Sequence, residues 1–191
     1  MSKTILYFHG FASSSDSNKA IVLKNYFSRN YKHSEIVIPD LNNNFKKAVG
    51  QINKLVDDAK NPIVFMGSSL GGYYAAFFSS KLKTKSVLIN PAIPPLEDFE
   101  MYLGENKNYS TGEKFIITKD DIQYLRKTSY KKYPNAQNTY VLLESGDEVL
   151  NYKDTAKYFS GSYIDIIYGG THSYESIDKK LENIVNFIEI S

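Results

Sequence analysis

Residues 63–76 read Ile-Val-Phe-Met-Gly-Ser-Ser-Leu-Gly-Gly-Tyr-Tyr-Ala-Ala. An apolar run enters Gly67-Ser68-Ser69-Leu70-Gly71, and a stretch of small and aromatic residues leaves it. Gly-x-Ser-x-Gly between a strand and a helix is the pattern of a nucleophile elbow, a turn so sharp that side chains at Gly67 and Gly71 would collide with their neighbours. Ser69 then stands at the apex with its hydroxyl exposed, and the helix behind it offers free N–H groups where negative charge can develop. The segment is no phosphate cradle. Neither Gly-Lys-Ser/Thr nor Gly-x-Gly-x-x-Gly is present.

A serine hydroxyl is a weak nucleophile without a base. Three histidines are available, His9, His33 and His172. His9 directly follows the first apolar run, upstream of the serine, and reads as a brace for its loop. His33 lies in the polar run Asn30–Ser34 and reads as a solvated surface residue. His172 follows the last strand in Tyr168-Gly169-Gly170-Thr171-His172 and alone fits the chain order serine, acid, histidine. The acid is expected at the end of the penultimate strand, in Leu143-Glu144-Ser145-Gly146-Asp147-Glu148. Asp147 is the choice. Glu144 is disfavoured because it adjoins the strand, and Glu148 because of its position. Two N–H donors complete the set, that of Leu70 after the nucleophile and that of Phe11 in the loop Phe8-His9-Gly10-Phe11-Ala12. This chemistry calls for no metal and no organic cofactor.

These residues must be held by strands and helices. Six apolar segments read as strands: Thr4–Phe8, Glu35–Ile38, Ile63–Met66, Ser86–Ile89, Thr139–Leu143 and Tyr163–Tyr168. Four of them are near-continuous apolar runs, as strands buried on both faces of a parallel sheet are. Helical periodicity falls between them. It is clearest over Asn44–Ala59, and it recurs over about Asn18–Phe27 behind a Ser/Asp stretch suited to capping, from near Ser69, over Lys153–Phe159 and over Glu175–Ile188. Alternating strand and helix predict an α/β fold with a parallel sheet covered on both faces. Residues 91–134 break the alternation. They carry Pro91, Pro94 and Pro95, no strong strand signal and a short helix at Asp120–Lys127, and they read as a lid or cap over one sheet edge. The expectation is one domain over 1–191 with that insertion.

Composition sets the remaining bounds. The 191 residues are 42% hydrophobic and 23% charged, enough apolar content for a folded core. Twenty-three Lys and Arg against twenty-one Asp and Glu leave a net charge of +2, with no dense basic block for a nucleic acid. The longest apolar run is Tyr73–Phe78, far short of the roughly 18 residues of a membrane span. The absence of cysteine excludes disulfides, thiolate–zinc sites and a thiol nucleophile. A soluble, cytoplasmic protein is expected.

Taken together, His9-Gly10-Phe11, Gly67-Ser68-Ser69-Leu70-Gly71-Gly72-Tyr73-Tyr74-Ala75, Asn90-Pro91-Ala92, Thr111-Gly112-Glu113, Gly146-Asp147-Glu148-Val149 and Gly169-Gly170-Thr171-His172 resemble the YqiA-type esterases, small bacterial members of the α/β-hydrolase superfamily. The resemblance runs from Tyr7 to about Phe187. It implies a three-layer α/β-hydrolase fold lacking the superfamily's first two strands, with strand order 2-1-3-4-5-6. It also implies a Ser69–His172–Asp147 triad acting through an acyl-enzyme on small carboxylic esters, or on acyl thioesters. Asn151 departs from the pattern, which has Asp there. The alternative is a catalytically silent scaffold of the same fold that binds a small ligand or a protein partner.

Overall fold

A computed structural model of the chain describes residues 2–31 and 34–189; His33 lies outside the described residues. In chain order the elements are β1 (Thr4–Phe8), α1 (Asn18–Asn30), β2 (Glu35–Val37), α2 (Phe45–Asp58), β3 (Ile63–Ser68), α3 (Leu70–Leu82), β4 (Ser86–Ile89), β5 (Gly104–Lys107), β6 (Lys114–Ile117), α4 (Lys119–Lys127), β7 (Thr139–Glu144), α5 (Tyr152–Tyr158), β8 (Tyr163–Ile167) and α6 (Leu181–Glu189).

The six apolar segments form one sheet in the order β2-β1-β3-β4-β7-β8, every pair parallel. Leaving out the separate pair β5-β6, that is the expected order, and the fold is α/β with helices on both faces. Side-chain alternation sorts the core. Leu6, Phe8, Phe65, Leu88, Val141 and Leu143 face α2 and α3, joined by Phe45, Ala48 and Ile52. Ile5, Tyr7, Val64, Met66, Val87, Ile89 and Leu142 face α1 and α6, where Leu23, Phe27, Ile184 and Val185 cover them. Among the described residues no helix is long and apolar enough to cross a membrane.

Three local expectations change. The helix expected over Asn44–Ala59 runs over Phe45–Asp58, with Asn44 as a cap whose side chain accepts from the Lys47 N–H. Ser17 precedes α1 but its side chain caps nothing; the Ser/Asp stretch instead folds on itself and on β2's exit, the Asp16 N–H donating to Ser14 Oγ and the Ser15 N–H to Asp40. The last helical pattern splits into a 3₁₀ turn at Ile177–Lys180 and α6.

Residues 91–134 hold an antiparallel hairpin, β5-β6, which periodicity did not show. Its first strand reads Gly-Glu-Asn-Lys, residue types depleted in strands, and it lies on the surface with no apolar face to alternate against. The hairpin stands on its turn instead. Asn108 Oδ1 accepts the N–H groups of Ser110 and Thr111. Next in the segment, α4 begins in a reciprocal capping box between Thr118 and Asp121.

The crossing that fixes the upper edge of the sheet is where α3 leaves β3. A Cβ on Gly67 would lie 2.2 Å from the Gly71 carbonyl oxygen, and one on Gly71 would lie 2.0 Å from the carbonyl oxygen of Phe8. Both are backbone contacts that cannot swing aside. Gly71→Ala should therefore cost about 2 kcal/mol or more despite alanine's better helix propensity, as a lowered urea midpoint at unchanged slope. An unshifted midpoint would contradict this account of the crossing.

Candidate active site

Ser69 sits between β3 and α3 at φ 54°, ψ −121°, a backbone region that non-glycine residues rarely occupy. The two close glycine contacts hold it there. Its Oγ lies 3.0 Å from His172 Nε2. His172 Nδ1 lies 2.8 Å from Asp147 Oδ2 and 3.0 Å from Oδ1. A carboxylate only accepts, so Nδ1 carries the proton and donates to Asp147, and Nε2 is left to accept from the Ser69 hydroxyl. The Asp147 side chain is 2% exposed and is oriented by its own loop, for Oδ1 also accepts the N–H groups of Val149 and Leu150. The three side chains singled out by order along the chain thus form one hydrogen-bonded line across the sheet edge.

Leu70 follows Ser69 directly in the chain, and Phe11 lines the same cavity as Ser69. Leu70 is the first residue of α3, so its N–H has no helical acceptor. The Phe11 N–H, in the loop after β1, also has no acceptor among the described residues. Gly10 brings that loop close, since a Cβ there would lie 3.4 Å from Ser69 Cβ and 4.0 Å from its Oγ. His9 braces the loop. Its Nε2 accepts the Leu41 N–H at 3.0 Å, so Nδ1 bears the proton and donates to the Gly10 carbonyl at 2.9 Å. Burial holds the His9 pKa below the ordinary imidazole value, against the weaker upward pull of its bond to Gly10 and of Asp40.

The loop carrying His172 is held by backbone bonds from Gly146 to Gly169 and from Tyr174 to Thr171 and by several side chains, most of which sequence reasoning missed. Asn90, just past β4 at φ 39°, donates to the carbonyls of Thr171 (3.0 Å) and His172 (3.2 Å) and accepts the Glu144 N–H. Glu144, fully buried, accepts the N–H groups of Thr171 (2.8 Å) and Ser176 (3.1 Å). Considered from the sequence as a rival acid, it touches the backbone around His172 and not its ring. Glu148, the other rival, accepts the His172 N–H at 2.9 Å, which holds its carboxyl below the usual carboxylate range. Lys19 donates to the Ser173 carbonyl. Desolvation lowers the Lys19 pKa, and the nearby Glu144 and Asp147 carboxylates oppose that shift. The signal available in sequence was slight: polar residues, Asn90 and Glu144, at the carboxyl ends of apolar strands. Asn151, where the resemblance leads one to expect Asp, caps α5 through the Lys153 N–H, a task either residue performs.

Ser69 and His172 open on a cavity of about 870 Å³. One side is aromatic, with Phe11, Phe99 and Tyr102 in mutual ring contact, and the rim carries Met101, Tyr109 and Val149. Lys19, Ser13, Ser17 and Ser173 line the polar side. Among the described residues no group of three or more His, Asp or Glu could hold a metal ion.

The molecule is similar in structure to Est1E from Butyrivibrio proteoclasticus with ferulic acid bound, at a TM-score of 0.75 and 14% identity over 97% of this chain and 87% of that one. It is also similar to mouse alpha/beta hydrolase domain-containing protein 10, at a TM-score of 0.74 and 17% identity over 97% and 89% of the two chains. The fold is that of the α/β hydrolases. In sequence it is 26% identical to "UPF0227 protein YcfP" of Escherichia coli over 96% of this chain and 97% of the relative. Residues 4–189 match the profile described as "Uncharacterised protein family (UPF0227)". The fold expected from the motif set and the fold observed agree, and by that match over nearly its whole length the chain belongs to the UPF0227 family.

Proposed function

We propose that the protein is a serine hydrolase of small carboxylic esters that works through an acyl-enzyme on Ser69. The observation that carries the reading is the unbroken line Asp147–His172–Ser69 at the cavity, with the N–H groups of Leu70 and Phe11 unspent. His172 Nε2 takes the Ser69 proton as Oγ attacks the ester carbonyl, and Asp147 steadies the imidazolium that results. The oxyanion forms between the N–H groups of Phe11 and Leu70, where donors set in advance stabilise charge without reorganising. His172 then gives its proton to the leaving alkoxide, which departs as the alcohol. Water, deprotonated by the same nitrogen, attacks the acyl-enzyme and frees the acid.

In this reading the acyl group lies against Phe11, Phe99 and Tyr102, and the 91–134 segment, which supplies the last two, covers it. An apolar or aromatic acyl chain fits that wall; Est1E, a protein of the same fold, holds ferulic acid. Thioesters use the same machinery and differ only in their leaving group.

A fluorophosphonate probe should label the wild type once and Ser69→Ala not at all by intact mass. Absence of an adduct on folded wild type would replace this reading with that of a silent scaffold. Asp147→Asn should keep the fold and lower kcat about 10⁴-fold, because the wrong imidazole tautomer then faces Ser69.

Stability should carry a pH signature from His9. Its folded-state pKa is depressed, so the unfolded chain binds the proton more readily. The stabilisation is whole above the ordinary imidazole value of about 6.5 and is lost as pH falls from there toward the lowered value. The melting temperature of the wild type should drop between about pH 6.5 and 5 more steeply than that of His9→Gln. Parallel curves would show that His9 does not differ between the two states.

A further inference from the structure

The tip of the β5-β6 hairpin is fastened to the loop that presents the Phe11 N–H. Asn108 lies in a surface turn, yet it is only 4% exposed. Its Oδ1 is used within the turn, by Ser110 and Thr111. Its Nδ2 reaches out of it, donating to the Ser13 carbonyl at 3.0 Å and to Asn43 Oδ1 at 3.2 Å. Beside it the Tyr109 N–H donates to the Ala12 carbonyl at 2.7 Å, and Ala12 is held at φ 50°. The two residues after Phe11 therefore each give their carbonyl to the hairpin. The Phe11 ring is gripped from the same segment, with centroids 5.7 Å from Phe99, 4.7 Å from Tyr102 and 5.8 Å from Phe115.

The Phe11 loop needs such support. Residues 9–13 belong to no helix or strand, and the other polar tethers on this stretch among the described residues are those of the His9 ring, which donates to the Gly10 carbonyl and accepts the Leu41 N–H. An N–H acts on an oxyanion only when it is held at the right distance and angle. We propose that Asn108 is a positioning residue for hydrolysis: through it, the 91–134 segment holds the Phe11 N–H in its oxyanion-binding place, in addition to covering the cavity. The proposal rests on the esterase reading above. It also gives a task to Thr111-Gly112-Glu113, a motif that the catalytic line leaves unused. The Gly112 N–H and Glu113 carbonyl close the turn on the Asn108 backbone, and Gly112 takes the positive φ of 75° that the turn requires.

Asn108→Asp separates the two halves of the side chain's work. One carboxylate oxygen still accepts from Ser110 and Thr111, while the other faces the Ser13 carbonyl with no proton to give. Against p-nitrophenyl butyrate, kcat should fall tenfold or more with KM changed by less than about twofold, because oxyanion binding belongs to the transition state. The fluorophosphonate labelling rate should fall in parallel. Hydrogen exchange by mass spectrometry should quicken over residues 9–13 and stay as in the wild type over 63–76. A rise in KM at unchanged kcat would show that the hairpin only covers the cavity, and would overturn the proposal. Unchanged exchange over 9–13 would overturn it as well. Asn108→Ala, which also loosens the turn, should lower kcat at least as much; if it does not, the tether is not what positions Phe11. If the wild type neither labels nor hydrolyses ester, the esterase reading falls, and the exchange comparison still decides whether Asn108 holds the loop.

Discussion

The first turn of α3 passes so close to the end of β1 that the Phe8 carbonyl oxygen would lie 2.0 Å from any Cβ on Gly71. Much of the site follows from that crossing. It drives the chain through Ser69 at positive φ, which presents the hydroxyl. It starts α3 at Leu70, which leaves an N–H without a helical acceptor. It also sets the loop after β1 against the nucleophile, with Gly10 in contact with Ser69. Strain at one residue is tolerable because strands and helix on both sides over-determine it. Backbone packing therefore fixes Ser69 and Leu70 before any polar contact is counted.

The histidine side of the site is built the other way. His172 stands in a loop, and its backbone is held by polar side chains from other elements: Asn90 past β4, Glu144 at the end of β7, Glu148 after it and Lys19 from α1. Sheet register brings the first two together. Ile89 pairs with Leu142, so Asn90 arrives beside the last residues of β7, and Glu144 pairs with Ile167, five residues before His172. A fully buried carboxylate is costly unless its lone pairs are used. Both Glu144 oxygens accept an N–H, and Lys19 supplies a positive charge nearby.

What could be read from the sequence divides along that line. The four central strands, β1, β3, β4 and β7, were legible because hydrophobic burial leaves a continuous trace, and Ser69, Asp147 and His172 because their types, order and glycine spacing are unusual together. Asn90 and Glu144 left no trace of that kind. They act on backbone groups of residues up to 82 positions away, and one polar side chain after an apolar run looks like any strand exit. The hairpin was missed because its first strand, Gly104-Glu105-Asn106-Lys107, is polar throughout and its second turns only Phe115 and Ile117 inward, too short a run to show a period. The Ser/Asp stretch before α1, suited to capping by its residue types, supplies no side-chain cap, and its Ser15 N–H is taken by Asp40, which is close only in the fold.

The position of the hairpin along the chain explains how it reaches Phe11 at all. It is inserted between β4 and β7, which are neighbours in the sheet, so the insertion leaves the strand ladder intact. From β4 the Phe11 loop lies two strands away, across β3 to β1, a lateral distance of about 10 Å at the usual strand spacing. Each hairpin strand has four residues and spans about 13 Å, and the turn between them bonds to Ala12 and Ser13. Apart from Asn108 that turn is exposed, so its one buried side chain is the one that bridges to the Phe11 loop.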